Sequence, residues 1–481
     1  KNLSCPYPAI NTAYRHAIAR VTELPYLSNH RPMRFVVRSG QRFGDDGGVP
    51  KPVRRWLDTG EAGIPMSNAA LISQRAAGLP GNPFAKADAR AAAAIAAGED
   101  VIDLSKGNPD GQPPAFVQDA LAHAAHDPSL FRYPSFDGLP EYLNAIAGWY
   151  ESKHGVSVDP ATQLLATSGS SVGIATVIQA LIDPGETVVA VNPYYPQYEG
   201  STAVAGGRFE TIPADPARGF LPDLDAVDPA VWERAKLLIL NYPNNPTGAV
   251  AAPELYETAV RLAQQYGFIV LNDFAYAGLE FGSTRSLSLL ETPGALDVAL
   301  ELGSLSKMYM VAGWRGGFVA GNAEVLAAVK AVHRQTAVLA SSVIQQAGAV
   351  ALESDQSTVA ALAVQYQHRF EVVRDGFTQA GLPVSEAQGG LFAWAKVPER
   401  WGSAGVHDGT VSEVRVTDGS ADLANNSAAF VDWLLKTAGV ALMPGSCFGK
   451  AGEGWVRISL LKHTAELFQA AARVSRALQD K

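Results

Sequence analysis

The stretch Gly303–Gly317, GSLSKMYMVAGWRGG, guides the interpretation of the whole chain. It places Lys307 after two small hydroxyl residues, Ser304 and Ser306, and places Arg315 eight positions later in a glycine-flanked turn. An amine that attacks an aldehyde must be neutral and must have room to move, and small neighbours provide that room. A nearby cation and partial burial both lower the pKa of a lysine. Serine hydroxyls and a guanidinium are also donors that suit a phosphate dianion.

A lysine beside a phosphate site is what pyridoxal phosphate requires, because this cofactor carries an aldehyde and a phosphate ester. Asp273 follows an apolar run that predicts a buried strand, and ligands of open α/β sheets bind at the carboxyl ends of strands. Asp273 can pair with a protonated ring nitrogen, and Tyr276 can donate to the ring oxygen. Asn245 follows a second apolar strand, in a turn held extended by two X-Pro bonds, and is another candidate donor.

A third segment predicts phosphate donors. Residues 164–173, LLATSGSSVG, predict a strand, a turn of small residues and the start of a helix. Free backbone N–H groups and the helix dipole favour an anion at such a start, so Ser170 and Ser171 are candidate phosphate ligands. An ordinary helix N-cap is the alternative interpretation.

Taken in order and spacing, Asn-Asn-Pro-Thr-Gly at 244–248, Asp-x-x-Tyr at 273–276 and Ser-x-Ser-Lys with Gly-Trp-Arg at 304–315 resemble the class I/II aminotransferase family. These are fold-type I pyridoxal phosphate enzymes, similar to aspartate aminotransferase, and the resemblance covers roughly residues 72–481. It implies an α/β fold whose large domain has a mostly parallel sheet, joined to a smaller α/β domain. The alternation of apolar strands and helices between Leu164 and Phe318 also predicts a mostly parallel sheet.

The predicted division of the chain follows from this resemblance and from local composition. We expect a basic N-terminal extension at 1–70, the first part of the small domain at 71–125, a large cofactor-binding domain at 126–365, and the rest of the small domain at 366–481, with a surface insertion at about 399–428. One long helix, at about 351–380, is expected to bridge the last two parts.

The resemblance implies four further site residues. Arg457, alone among apolar residues of a predicted strand, corresponds to the arginine that clamps the substrate α-carboxylate. Gly107 leaves its backbone N–H available to a carboxylate, and Tyr195 stacks on the cofactor ring. Tyr133 reaches the phosphate of the neighbouring subunit's cofactor, which implies a homodimer with shared sites.

One role stays open on the sequence, and one residue is expected to make two contacts. Lys106 is either solvated or in contact with a substrate side chain. Asn245 is expected to contact substrate as well as cofactor.

Composition restricts the class of protein. The 481 residues are 47% hydrophobic and 18% charged, which is typical of a globular protein, and no apolar run is long enough to span a membrane. No signal-peptide pattern begins the chain. Two cysteines do not make a disulfide framework, so a reducing cytoplasm is expected. Nine scattered histidines predict no metal site, and a net charge of -9 argues against nucleic-acid binding.

Residues 1–70 carry ten lysines and arginines against five acidic residues, and 10–21 have apolar residues at helical spacing. One interpretation is a basic arm that packs on an acidic partner subunit. The other is that Arg34, Arg38 or Arg42 reaches an anionic substrate. DNA binding is a third possibility, but no clear helix-turn-helix pattern supports it.

The predicted function is chemistry at Cα of an amino acid through a lysine imine and a quinonoid carbanion. Lys307, Asp273 and Tyr276 are the expected catalytic residues, and a biosynthetic aminotransferase is the main interpretation. The alternative is γ-elimination or γ-replacement, including C–C bond formation, on S-adenosylmethionine or a similar substrate. A regulator that senses pyridoxal phosphate is the hypothesis from another class.

Overall fold

A computed structural model describes residues 72–337, 339–398 and 427–479, all of which belong to the compact unit Ser67–Lys481. The basic N-terminal extension and nearly all of the expected insertion lie outside the described residues. Expectations for these two segments, and for the domain boundaries, stay predictions.

The described elements alternate along the chain as the sequence predicts. The strands are β1 (Ile102–Asp103), β2 (Leu164–Thr167), β3 (Thr187–Asn192), β4 (Arg208–Pro213), β5 (Ala235–Leu240), β6 (Ile269–Asp273), β7 (Ala299–Ser304), β8 (Gly317–Gly321), β9 (Phe392–Lys396), β10 (Val440–Ala441), β11 (Met443–Pro444) and β12 (Trp455–Ser459). The α-helices are α1 (Gln74–Ala77), α2 (Pro83–Ala96), α3 (Ala115–Ala124), α4 (Pro140–His154), α5 (Ser170–Leu181), α6 (Gln197–Ala205), α7 (Pro229–Arg234), α8 (Pro253–Tyr266), α9 (Ala295–Val298), α10 (Leu305–Met308), α11 (Ala323–Thr336), α12 (Ser342–Glu353), α13 (Ser357–Gln379), α14 (Ser427–Ala438) and α15 (Thr464–Gln479).

The central sheet has seven strands in the order β2-β8-β7-β6-β5-β3-β4. All pairs are parallel except those of β8, which is antiparallel to β2 and β7. Leu237 and Ile239 of β5 pack in one core cluster, whereas Leu238 and Leu240 pack in another, because alternate residues of a strand point to opposite faces. Both faces are therefore covered, and the predicted α/β fold with a mostly parallel sheet is confirmed.

The sheet topology gathers the predicted site residues at one end. The parallel strands β5, β6 and β7 end at Leu240, Asp273 and Ser304, so the loops that follow them meet at the same edge. Thr167 of β2 and Ser304 of β7 both pair with Gly317 of β8. This shared neighbour brings the start of α5 next to the lysine segment.

Two smaller sheets connect distant parts of the chain. β1 pairs in parallel with β10, so Ile102 lies opposite Val440, and β12 lies between β11 and β9 in an antiparallel sheet. The N–H of Ser459 donates to the carbonyl of Leu104 at 2.9 Å, which places the segment after β1 beside β12. The predicted substrate residues Gly107 and Arg457 thus come from neighbouring segments.

The expected long helix at about 351–380 is present as α13 (Ser357–Gln379), but it begins later than expected because residues 351–353 still belong to α12. Gln356 has a φ of 63° and separates α12 from α13. Its side-chain amide donates to the carbonyls of Ala351 and Leu352 at 3.0 Å each, and so caps the end of α12. Separately, Ser427 already belongs to α14, so the helix begins inside the expected insertion. Among the described helices, none combines the length and apolar composition needed to cross a bilayer.

Candidate active site

A cavity of about 380 Å³ opens at the carboxyl end of the central sheet. It brings together nearly all of the predicted site residues, namely Lys106, Gly107, Ser170, Ser171, Tyr195, Asn245, Asp273, Tyr276, Ser304, Ser306, Lys307, Arg315 and Arg457. Tyr133 is the exception, because its side chain is 93% exposed and does not line the cavity. The volume of the cavity is within the usual range of small-molecule binding sites.

Lys307 lies on the short helix α10, directly after β7. The hydroxyl of Ser304 accepts a hydrogen bond from the N–H of Ser306 at 3.2 Å and fixes the start of this helix. Lys307 Nζ donates to the carbonyl of Gly107 at 2.6 Å. Burial lowers the pKa of Lys307 to about 8, and the charges of Arg457 and Arg315 act in the same direction. The amine can therefore become neutral near physiological pH, as a nucleophile or a base requires.

Asp273 lies at the end of β6 and is buried. The hydroxyl of Tyr198 donates to its Oδ2 at 2.7 Å, whereas its Oδ1 is buried without a hydrogen-bond partner in the described part of the chain. Burial raises the pKa of Asp273 to about 6, although Tyr198 and the N–H of Ala275 favour the charged form. A buried oxygen without a partner is costly, so this position suits a cationic N–H donor from a ligand.

The start of α5 forms an anion site with Arg315. Gly169 precedes the helix with a φ of 86°, and a Cβ at this residue would lie 2.3 Å from an Nη of Arg315. Only glycine allows the guanidinium to pack so closely against the helix start. Arg315 itself has a φ of 60° and donates to the carbonyl of Ala312 at 2.9 Å. Serine hydroxyls, helix N–H groups and a guanidinium thus surround one corner of the cavity, as a phosphate ester requires.

Arg457 projects from β12 and is 4% exposed. It donates to Oδ1 of Asn245 at 3.0 Å and to the carbonyl of Ser105 at 2.8 Å, and its Nε has no partner in the described residues. Its guanidinium carbon lies 3.9 Å from the ring centre of Phe392. Burial lowers the pKa of Arg457 to about 10, which leaves it charged at neutral pH. All of its hydrogen-bond acceptors are neutral, so this buried cation suits a carboxylate from a ligand.

The remaining predicted residues lie at the sides of the cavity. Burial keeps the pKa of Tyr276 well above its usual range, so its hydroxyl stays a donor. Tyr195 packs edge-on against Tyr198, with 5.8 Å between ring centres. The side chain of Lys106 is 53% exposed and lies 3.4 Å from a carboxylate oxygen of Asp103. The contact with Asp103 leaves both interpretations of Lys106 open.

Comparison with known proteins identifies the family. The sequence model of the family described as "Aminotransferase class I and II" matches residues 99–474. The chain belongs to the class I and II aminotransferases. This aminotransferase is 36% identical over 406 residues to LL-diaminopimelate aminotransferase of Syntrophobacter fumaroxidans, covering 84% of this chain and 98% of the relative.

Two other comparisons agree with this family. L-glutamine--4-(methylsulfanyl)-2-oxobutanoate aminotransferase of Bacillus subtilis is 36% identical over 398 residues, covering 83% of this chain and 94% of the relative. The substrate-bound structure of BacF from Bacillus subtilis gives a TM-score of 0.75 at 31% identity, covering 84% of this chain and 97% of that one. The predicted reaction class and the cofactor, pyridoxal phosphate, are thereby confirmed.

The cavity of this aminotransferase fits that cofactor. The anion site at α5 matches the phosphate, and the unpartnered Oδ1 of Asp273 matches a protonated ring nitrogen. Lys307, buried and near neutrality, lies in the same cavity. The roles assigned to individual residues stay predictions.

Several residues of the cavity were not predicted. They include the apolar side chains Phe84 and Phe392, the acid Asp88 and the polar residue Asn241. Tyr198 does not line the cavity, but its hydroxyl donates to Asp273. Asn241 follows β5 directly, as Asp273 ends β6, so the strand-end argument could have identified it. Its amide donates to the backbone carbonyl of Asp273 at 2.7 Å. Phe84, Asp88 and Phe392 carry no local signal of their position.

Proposed function

We propose that this aminotransferase holds its cofactor on Lys307 and the α-carboxylate of an amino donor on Arg457, and that it works in amino acid biosynthesis as a homodimer. The observation that carries the proposal is that one cavity is lined by Lys307, Asp273 and Arg457. The amine of Lys307 can lose its proton near neutral pH, Asp273 has an oxygen without a hydrogen-bond partner, and Arg457 is buried without an acidic partner in the described residues. Each of these groups lacks, among the described residues, the partner that this reaction would supply.

The residues of the chain divide the work. When bound, pyridoxal phosphate supplies an aldehyde that takes up the amino group and a ring that accepts electrons from Cα. Ser170, Ser171 and Arg315 would hold the phosphate, and Asp273 would keep the ring nitrogen protonated through Oδ1. Tyr276 would donate to the ring oxygen, whose charge it stabilises.

Arg457 and Lys307 act on the substrate. Arg457 offers a guanidinium fork to the α-carboxylate, and a group fixed in this way presents Cα in one orientation. Lys307 Nζ would remove the proton from Cα and would return a proton to the carbon that came from the cofactor aldehyde. A positioned base of this kind contributes roughly 10²- to 10⁴-fold in rate.

The amino-donor half-reaction tests this proposal. The loaded protein is mixed with single amino donors, including LL-diaminopimelate and L-glutamine, which appear in the names of relatives. We expect the absorbance of the cofactor to change to that of its amine form, with a keto acid released in equal amount. S-adenosylmethionine is tested in the same way: release of its thioether group while the cofactor keeps its aldehyde form would instead support the alternative of γ-elimination or γ-replacement.

Substitution of Arg457 by lysine tests the α-carboxylate contact. Lysine keeps the charge but loses the fork, so we expect the second-order rate constant to fall by about 10²-fold with donors that have a carboxylate. The rate with a matched amine that lacks the carboxylate should change far less. An equal loss with both kinds of donor would contradict the assignment of Arg457.

Exposed apolar side chains near Tyr133 support the proposed homodimer. Phe131 and Phe136 are 68% and 52% exposed, and Tyr133 is 93% exposed. Such a patch on a folded chain is typical of an interaction surface. A second copy would also bring Tyr133 to a neighbouring phosphate site.

Mixing two inactive variants tests the shared site. Lys307→Ala and Tyr133→Ala subunits are refolded together, so that mixed dimers contain one site with both changes and one site with neither. Recovery of activity in the mixture supports the proposal. Recovery of none, with mixed dimers present, would contradict a shared site.

We also propose a reducing compartment, the cytoplasm, as the location, because two cysteines in 481 residues do not form a disulfide framework. An amino acid, as a small-molecule substrate, is the expected partner, and nucleic acid is not expected at a net charge of -9. Cell fractionation with detection of the chain tests the location, and recovery in a secreted or envelope fraction would contradict it.

A further inference from the structure

One wall of the active-site cavity is the first part of α2. Phe84 and Asp88 of this helix both line the cavity, as expected for residues four positions apart on one helix face. Asp88 is partly buried, and the described residues offer it neither a hydrogen bond nor an ion pair with its carboxylate. A carboxylate that faces a ligand cavity without a partner is available to a ligand.

The negative charge of Asp88 acts on the region of the α-carboxylate clamp. It is one of the groups that favour the protonated form of Arg457. The two do not form an ion pair, and the guanidinium donates instead to Oδ1 of Asn245 and to the carbonyl of Ser105. Asp88 therefore lies within electrostatic range of the substrate position without being neutralised by Arg457.

The acidic and basic side chains that line the cavity are Asp88, Lys106, Asp273, Lys307, Arg315 and Arg457. Asp88 differs from the other five in how its charge is compensated. In the proposed function, Arg315 would hold the phosphate, Asp273 would pair with the ring nitrogen, Lys307 would bind the cofactor covalently, and Arg457 would hold the α-carboxylate. Lys106 has Asp103 at 3.4 Å.

Among the described residues that line the cavity, Asp88 is then the ionised group that neither the cofactor nor the α-carboxylate would pair with and that has no ion pair with a neighbouring residue. We infer that Asp88 selects amino donors whose side chain carries a second cationic group, such as an ammonium. This inference rests on the proposed function and names the substrate class of the same site.

The expected selectivity comes from a difference in binding free energy between donors with different side-chain charges, and not from tighter binding of all donors. A cationic side chain pairs with Asp88 in a partly buried site, where a charge pair is screened less than in water. An apolar side chain of the same length removes water from Asp88 without replacing it, and an anionic side chain is repelled. The preference should therefore depend on the charge at position 88.

The test compares single amino donors in the half-reaction of the loaded protein. The probes are L-lysine and L-ornithine, with L-norleucine as the uncharged counterpart of lysine and L-glutamate as the anionic donor. We expect the second-order rate constant for L-lysine to exceed that for L-norleucine by at least about tenfold. In Asp88→Asn this ratio should fall by about tenfold, and Asp88→Lys should shift the preference towards L-glutamate.

A matched control distinguishes a local effect from a change in overall charge. Asp119→Asn removes an exposed acid from α3, outside the cavity, and should leave the ratio as in the original protein. A ratio that is equal in the original protein and Asp88→Asn, or a preference for L-norleucine over L-lysine, overturns the inference alone. No absorbance change with any of the probes or with the donors of relatives overturns the proposed function together with the inference.

Discussion

The hydroxyl of Tyr198 donates a hydrogen bond of 2.7 Å to Oδ2 of Asp273, across 75 residues of sequence. The other carboxylate oxygen of Asp273, Oδ1, is buried without a partner in the described residues. Tyr198 thus fixes the orientation of the carboxylate and leaves one oxygen for a ligand. Burial raises the pKa of Asp273, whereas the hydrogen bond from Tyr198 favours the charged carboxylate and so opposes this rise.

Replacing Tyr198 by phenylalanine should weaken cofactor binding. Without the hydroxyl, the pKa of Asp273 rises further, and the carboxylate pairs less well with a protonated ring nitrogen. We expect the Kd of pyridoxal phosphate to rise by about tenfold, since a hydrogen bond to a charged group contributes about 1.5–3 kcal/mol. The absorbance of the bound cofactor, titrated against pH, should also shift.

Tyr366→Phe is the matched control for this variant. The hydroxyl of Tyr366 is buried without a hydrogen-bond partner in the described part of the chain, so its removal breaks no such contact. If both variants change the Kd and the pH titration equally, the hydrogen bond to Asp273 has no special role.

Asp273→Asn should have opposite effects on the cofactor-free and the loaded protein. The pKa of Asp273 is about 6 in the fold against 3.8 for a free side chain, so the folded state binds more protons than the unfolded state between these values. Stability of the cofactor-free protein therefore falls as pH rises from about 4 to about 6. An amide of the same shape avoids this loss and should raise the free energy of unfolding at pH 7 by on the order of 2 kcal/mol.

In the protein loaded with cofactor, the same substitution should have the opposite effect. A protonated ring nitrogen compensates the buried charge of Asp273, so Asp273→Asn should weaken cofactor binding by 10-fold or more while it stabilises the cofactor-free chain. Chemical denaturation at pH 4 and pH 7, with and without cofactor, measures both effects. A variant that is destabilised at pH 7 without cofactor would contradict the electrostatic account.

The capture of the cofactor should accelerate with pH. Lys307 attacks only as the neutral amine, and burial, with Arg457 and Arg315, lowers its pKa to about 8. We expect the rate constant for formation of the bound cofactor absorbance to rise through a midpoint near pH 8. Because Arg457 contributes to this lowering, Arg457→Met should move the midpoint to higher pH. An unchanged midpoint would show that Arg457 does not act on Lys307.

Much of the site was predictable because its chemistry lies at strand ends. Asp273 ends β6, Asn245 follows β5 and Lys307 follows β7, and parallel strands bring such residues together without knowledge of any contact. Arg457 was recognisable as a lone charge in an apolar strand. The strand-end positions need only local sequence and the geometry of a parallel sheet, whereas the α-carboxylate role of Arg457 came from the resemblance to the family.

Other features depend on contacts that local sequence does not encode. Nothing in the local sequence distinguishes Tyr198, on α6, from the neighbouring tyrosines as the one whose hydroxyl meets Asp273. Asp88 lies in an alanine-rich helix, where nothing distinguishes a cavity-facing acid from a solvated one. The break at Gln356 was missed because its cause is a side chain that caps carbonyls of the preceding helix.

The most direct test of the account is chemical identification of the amine that binds the cofactor. The loaded protein is reduced with borohydride, which fixes the bond between lysine and cofactor, then digested and analysed by mass spectrometry. We predict that the cofactor mass is found on the peptide containing Lys307, and that Lys307→Ala loses this label. Label on Lys106, the other amine that lines the cavity, or on a lysine elsewhere in the chain, would contradict the account.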